Sequence, residues 1–147
     1  MNTLIIDCSS GMSVYVLKND EVYFKSDKNQ KKHTDELLNV VDELLIQSCL
    51  KIKDINNLCV CIGPGSFTGI RVAISIVKGL AVESNAKVYA LTNFDILQND
   101  LKENSVYVLD GFSKFLYVRF IENGEIIDEC IDIESLILKL KNIDYNI

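Results

Sequence analysis

The stretch Gly63-Pro64-Gly65-Ser66-Phe67-Thr68-Gly69-Ile70-Arg71-Val72-Ala73-Ile74-Ser75-Ile76-Val77-Lys78-Gly79-Leu80 decides how this chain is read. It holds the only proline and four of the seven glycines, and it follows an apolar run at residues 58–62. Apolar run, tight turn and 3.6-residue periodicity predict strand, turn and helix, with main-chain N–H groups exposed at the turn. Ser66 or Thr68 is the expected start of the helix, which runs to about residue 83. A helix N-terminus of this kind can hold an anion, but the spacing is neither a phosphate loop of the Gly-Lys-Ser/Thr type nor a dinucleotide fingerprint. Gly63, Gly65 and Gly69 are explained as well by a tight turn and close backbone approach, with Pro64 stiffening it. Gly79 lies inside the helix, where glycine costs about 1 kcal/mol against alanine, and so marks an expected close approach by another element. Arg71, one turn in, is a candidate partner for a carboxylate.

Working outward, residues 3–7 read as a strand ending in Asp7, followed by a turn at Ser9, Ser10 and Gly11. Residues 13–18 alternate, Asn19-Asp20 turns the chain, and residues 21–26 return, so an antiparallel meander is expected. A helix follows at about 34–49, with His33 or Thr34 as cap. Its apolar residues, among them Leu37, Leu38, Val40, Val41, Leu44, Leu45 and Ile46, exceed one stripe. The helix after Gly69 has the same excess. Residues 87–91 form another strand. After Leu101 the pattern starts again: residues 106–110 end in Asp110, 115–120 alternate, Asn123-Gly124 is a hairpin signal, and 125–130 return toward a short helix begun at Asp132 or Ser135. Asn123 lies 13 residues beyond Asp110, as Asn19 lies 12 beyond Asp7. The expected architecture is therefore α/β, a duplicated fold with a mixed sheet, with a first lobe at 1–100 and a reduced second lobe at 101–147.

Of 147 residues, 48% are apolar and 24% charged, enough for a genuine core without a disordered tract. The net charge of −6 argues against unaided gripping of a nucleic-acid backbone. The local basic cluster Lys25, Lys28, Lys31 and Lys32 reads as a solvated loop. No apolar run reaches membrane-spanning length, and the N-terminus does not read as a signal peptide, which favours the cytoplasm. Five scattered cysteines suggest buried thiols. Cys59 and Cys61 would share one face of a strand but lack the further ligands a metal needs. The lone histidine, His33, is without a second nearby, and Ser66 is not in a nucleophile elbow. Asp7 and Ser9 are the best residual nucleotide-site features, with Asp110 their counterpart.

The motifs IIDCSSGMSVYV, HTDELLNVVDELL and above all GPGSFTGIRVAISIVKGLA resemble the TsaB family, also called YeaZ, closely over residues 1–95 and more loosely through the Asp110 meander. The resemblance implies a fold of two ribonuclease H-like lobes in the actin-like (ASKHA) class. It also implies a non-catalytic role: TsaB proteins support the related catalytic subunit TsaD, and through it the ATPase TsaE, in N6-threonylcarbamoylation of adenosine 37 of tRNA. No cofactor or metal is implied for this chain, and tRNA would be met only through the complex. Asp7 and Ser9 fall on the family's DTS-like opening, with Cys8 in place of Thr. Gly63, Pro64, Gly65, Ser66, Phe67, Thr68, Gly69 and Arg71 fall on its signature, and Lys78, Gly79 and Leu80 on its end. The partner-binding helices of the family correspond to about 33–49 and 68–83. Leu37, Val41, Leu44, Phe67, Ile70, Arg71, Ala73, Ile74, Val77 and Lys78 are thus the expected partner-binding residues, and a homodimer by the same helices is a further expectation. Family members usually exceed 200 residues, so nucleotide binding becomes doubtful in this short chain. The competing expectations are a nucleotide-binding or phosphotransfer protein of the actin-like class and an interaction protein outside tRNA modification.

Overall fold

The alternation of the first meander resolves as a sheet with one buried face. In a computed structural model, described over residues 1–27, 33–98, 104–111 and 113–141, the chain divides into two units, Met1–Thr92 and Asn93–Ile147. The first unit runs β1 (Asn2–Asp7), β2 (Met12–Lys18), β3 (Glu21–Asp27), α1 (His33–Gln47), a 3₁₀ turn (Ile52–Asp54), β4 (Asn57–Cys61), α2 (Phe67–Ser84) and β5 (Lys87–Leu91). The sheet order is β3-β2-β1-β4-β5, antiparallel among the first three strands and parallel from β1 through β4 to β5. It is a mixed sheet, as expected, because the hairpin turns join neighbours while the helices act as crossovers.

Period-2 alternation fixes the register. Leu4 and Ile6 of β1, Val14 and Val16 of β2, and Leu58 and Val60 of β4 all point to one face, where they form a single core with Leu37, Val40, Val41, Leu44 and Leu45 of α1 and Ala73 and Val77 of α2. Those α1 positions recur at i, i+3, i+4, i+7 and i+8, the stripe of a helix lying on a sheet. The opposite face carries a row across four pairings, Phe24, Tyr15, Ile5, Cys59 and Tyr89. Tyr15 and Phe24 stack there with ring centroids 5.9 Å apart. The turn before β3 has Asn19 at φ 53°, a conformation that asparagine tolerates without glycine.

The second unit holds α3 (Asn93–Leu97), β6 (Ser105–Asp110), β7 (Phe115–Glu122), β8 (Glu125–Asp132) and α4 (Ile133–Leu140). Its three strands form an antiparallel sheet, β6-β7-β8, turned at Asn123 and Gly124, both at positive φ. Asp132 caps α4, accepting from the Ser135 N–H at 2.9 Å, which holds its carboxyl below the ordinary carboxylate range. Val106, Val118, Phe120 and Leu136 make a small core.

The helix α3 was not read from the sequence; at five residues it has too little periodicity to register. It falls in the second of the two units, which begins at Asn93. Arg119, buried on β7, holds Asp128 of β8 with two bonds of 2.7 and 2.8 Å and reaches Asp95 and Gln98 at 3.0 and 3.3 Å. Its guanidinium also lies 4.9 Å from the centroid of the Phe94 ring. This network keeps Arg119 firmly protonated, above its ordinary value, chiefly through Asp128. The side chains of His33, Thr34 and Asp35, with Lys28, Lys31, Lys32 and the start of the expected second lobe at 101–103, lie outside the described residues. Among the described residues no helix is long and apolar enough to cross a membrane.

A lysine at position 119 has no planar fork with which to grip Asp128 and still reach Asp95. Arg119→Lys is expected to lower stability by about 1–3 kcal/mol, read as a shift in the urea midpoint of the intact chain at unchanged slope.

Candidate functional site

The glycine-rich turn is built against the end of β1. The Ser66 N–H donates to the Ser9 carbonyl oxygen at 2.6 Å, and the Ser9 N–H donates to Asp7 Oδ1 at 2.8 Å. A Cβ on Gly65 would strike the Ser9 carbonyl, and one on Gly69 would strike the Cys8 carbonyl. Gly63 sits at φ +94°, where side chains are strained, and the Gly63–Pro64 bond is cis. Ser66 is the helix cap: its hydroxyl accepts from the Gly69 N–H at 3.3 Å and its carbonyl from the Ile70 N–H at 2.9 Å. Thr68 follows on the exposed side of the first turn. The glycines therefore serve close packing of the α2 start on the Cys8–Ser9 backbone, and the cap uses a donor that an anion would otherwise take.

Asp7 has a structural task here, fixing the turn after β1, and Ser9 is buried beside it. Asp110 ends β6 in the second unit, exposed. Cys8 and Cys61 are buried next to the same turn. Burial pushes the Cys8 thiol up to about 11, with Asp7 and Cys61 adding to the shift. Burial also raises Cys59 and Cys61. Among the described residues no three His, Cys, Asp or Glu side chains come together in a way that could hold a metal.

The expected partner-binding residues separate into two sets. Leu37, Val41, Leu44, Ala73 and Val77 are fully buried in the core of the first unit, so they cannot present a surface; this corrects the sequence reading. The sequence shows how many apolar residues a helix has, and only the sheet's position settles which of them it covers. Ile70 and Ile74 are half-buried, and Phe67, Arg71 and Lys78 are exposed. Among the described residues Arg71 pairs with no carboxylate; its guanidinium lies over the Phe67 ring, 5.2 Å from the centroid. Gly79 is exposed with nothing within 4 Å of a Cβ position, so the close approach expected there is not made within the described chain. The apolar surplus lies on Leu38 and Ile46 of α1 and Val82 of α2, the last 88% exposed, with Phe67 at 70%.

On α2, Phe67, Arg71, Ser75, Lys78, Gly79 and Val82 thus form one outward stripe at three- and four-residue spacing, small at its centre and apolar at both ends. Comparison with known proteins bears on what such a surface is for. The family model for TsaD, tRNA N6-adenosine threonylcarbamoyltransferase, matches residues 25–141. The chain belongs to this family, on its TsaB/YeaZ side. It is 31% identical over 100 residues to the tRNA threonylcarbamoyladenosine biosynthesis protein TsaB of Buchnera aphidicola from Acyrthosiphon pisum, covering 66% of this chain and 45% of that protein. The TsaB of Buchnera aphidicola from Schizaphis graminum is 33% identical over 95 residues, covering 64% and 45%. A crystal structure from Pseudomonas aeruginosa, of an uncharacterized protein with similarity to peptidase YEAZ, superposes with a TM-score of 0.74 at 24% identity, covering 89% of this chain and 66% of that one. That likeness shows a shared α/β fold. The chain spans less than half the length of these curated TsaB relatives.

Two predictions follow from the geometry of this TsaB-type turn and helix. Gly69→Ala is expected to destabilise the chain by about 1–3 kcal/mol, because the strand backbone cannot yield to a Cβ, while Gly79→Ala stabilises it by about 1 kcal/mol. Urea denaturation of the two variants should therefore move in opposite directions. The thiols give the second. A proton held more tightly in the folded state stabilises the fold below the ordinary thiol value of 9.0, and that contribution is lost as the pH rises through about 11. At pH 8 iodoacetamide should label the exposed Cys49 and Cys130 and spare Cys8 and Cys61 until the chain unfolds, as read by peptide mass spectrometry.

Proposed function

We propose that this chain is a non-catalytic accessory subunit that binds and supports a TsaD catalytic subunit in N6-threonylcarbamoylation of tRNA adenosine 37. The observation that carries the reading is the outward stripe of α2. Phe67 and Val82 expose apolar surface at its two ends, and Ser75 and Gly79 leave room between them for a partner helix. Leu38 and Ile46 on α1 add to the same unsatisfied apolar supply. At ~25 cal/mol per Å², covering a few hundred Å² of such surface contributes several kcal/mol to association before its entropic cost. Membership of the TsaD family, together with relatives named as TsaB, gives the partner its chemistry. TsaE and tRNA enter through the complex, and the net charge of −6 fits a subunit that leaves the tRNA backbone to others.

The non-catalytic part of the proposal rests on the turn. The side chains of Asp7 and Ser66, which a nucleotide would use, already accept from backbone N–H groups, and Ser9 is held in the turn by its own main-chain N–H and carbonyl. The two units are also proposed to be a duplicated pair with a reduced second lobe, read from sequence as 1–100 and 101–147. Each has a three-stranded antiparallel meander whose first strand ends in Asp, followed by a helix.

Light scattering of the chain mixed with the TsaD of its own organism tests the function. A one-to-one complex is expected, weakened about tenfold or more by Phe67→Glu or Val82→Glu, with far-UV circular dichroism of the variants unchanged. Absence of a complex at tens of micromolar, or a melting temperature raised by nucleotide and not in Asp7→Ala, would point to the nucleotide-binding alternative instead.

A further inference from the structure

The last strand of the first unit is exposed on both faces and along one edge. Lys87, Val88, Tyr89 and Ala90 of β5 are all exposed, Val88 at 50% and Tyr89 at 46%, although these two point to opposite faces of the sheet. β5 also ends the sheet, and among the described residues its one neighbouring strand is β4. The Lys87 N–H donates to the Asn56 carbonyl at 3.0 Å, and the Leu91 carbonyl accepts from the Ile62 N–H at 2.9 Å. In a parallel ladder alternate residues turn both main-chain groups to the same neighbour. Lys87, Tyr89 and Leu91 therefore serve β4, while Val88 and Ala90 each turn an N–H and a C=O to the open edge.

Sheet edges are ordinarily guarded by charge, proline or a bulge. The opposite edge of this sheet is guarded, since β3 carries Glu21, Lys25 and Asp27. β5, Lys-Val-Tyr-Ala-Leu, has only Lys87, at its start, and no proline. An unguarded row of donors and acceptors among apolar side chains is a template to which an extended segment adds as a further strand. The residues of β5 set the chemistry of that segment. Opposite Val88 and Ala90 it needs β-branched or small apolar side chains, and opposite Lys87 a carboxylate. A second copy of the chain does not meet this requirement: its β5 has no carboxylate, and it brings a further net charge of −6.

We propose that the β5 edge is a docking site for an extended segment of a partner protein, which adds antiparallel to the sheet, bonds to Val88 and Ala90 and sets an acidic side chain beside Lys87. Antiparallel pairing is the more stable direction per residue. The site uses none of the α2 residues and does not depend on the partner assigned to them. The probe is the peptide acetyl-Thr-Val-Thr-Val-Glu-amide, whose valines fall opposite Ala90 and Val88. It is titrated to about 1 mM into the full 147-residue chain and followed by two-dimensional NMR of the backbone amides. The Val88 and Ala90 amides are expected to shift saturably and their hydrogen exchange to slow about tenfold, while Val22 and Phe24 on β3 stay unmoved. Methylating the two valine nitrogens of the peptide removes its donors and should abolish binding. Methylating the central threonine nitrogen, which points away from β5, should change binding by less than about threefold. Ala90→Pro removes an outward N–H without touching the β4 ladder and should weaken binding about tenfold. Should that variant fail to fold, the methylated peptides carry the test. No response at Val88 and Ala90, equal binding of the two methylated peptides, a response centred on β3 or α2, or pairing of two copies through β5 in place of the peptide would each overturn the proposal.

Discussion

The seating of α2 on the end of β1 is the constraint on which the rest of the first unit depends. It is a steric fact before it is an energetic one. The Ser66 N–H reaches the Ser9 carbonyl at 2.6 Å only because Gly65 and Gly69 carry no Cβ to hold the two backbones apart. That contact sets where α2 begins and at what height it crosses the sheet. Ala73 and Val77 are then delivered to the core, and Phe67, Arg71, Lys78, Gly79 and Val82 to the outside. The glycines that resemble a phosphate loop in sequence are thus explained by packing, and the anion-holding potential of the helix start is largely absorbed by the chain itself.

The same constraint divides labour along each helix. Burying a Leu or Val side chain is worth about 1.5–3 kcal/mol, so the inward stripes of α1 and α2 secure the fold against chain entropy. What remains outward is not needed for that purpose. An interior glycine with empty space around it, between Phe67 and Val82, costs stability and returns nothing within the chain. Association is the physical setting in which such a stripe is repaid.

The second unit solves a harder problem with less material. Among the described residues its core cluster holds four buried side chains, and a network around buried Arg119 supplements it, tying α3, β7 and β8 with four hydrogen bonds. Because Asp95 and Asp128 are themselves nearly half exposed, the network acts by geometry as much as by charge, fixing a short helix that has no intrinsic stability.

Much of this was legible in the residues alone. Alternation at 13–18, the Asn turns, the periodic runs and the Gly63–Leu80 signature determined the element order, the antiparallel meanders and the family, because these depend on local conformational preference and on motifs contiguous in sequence. The helix α3 was not legible, since five residues carry no period, and its purpose appears only when Arg119 is brought to Asp95 across 24 positions. Nor was the division of the helices into core and surface. Leu37 and Leu38 are adjacent and chemically alike, yet one is sealed in the core and the other half exposed. Composition determined that an excess of apolar surface exists; only the position of the sheet, held by the Gly65 and Gly69 contacts, decided which side chains carry it.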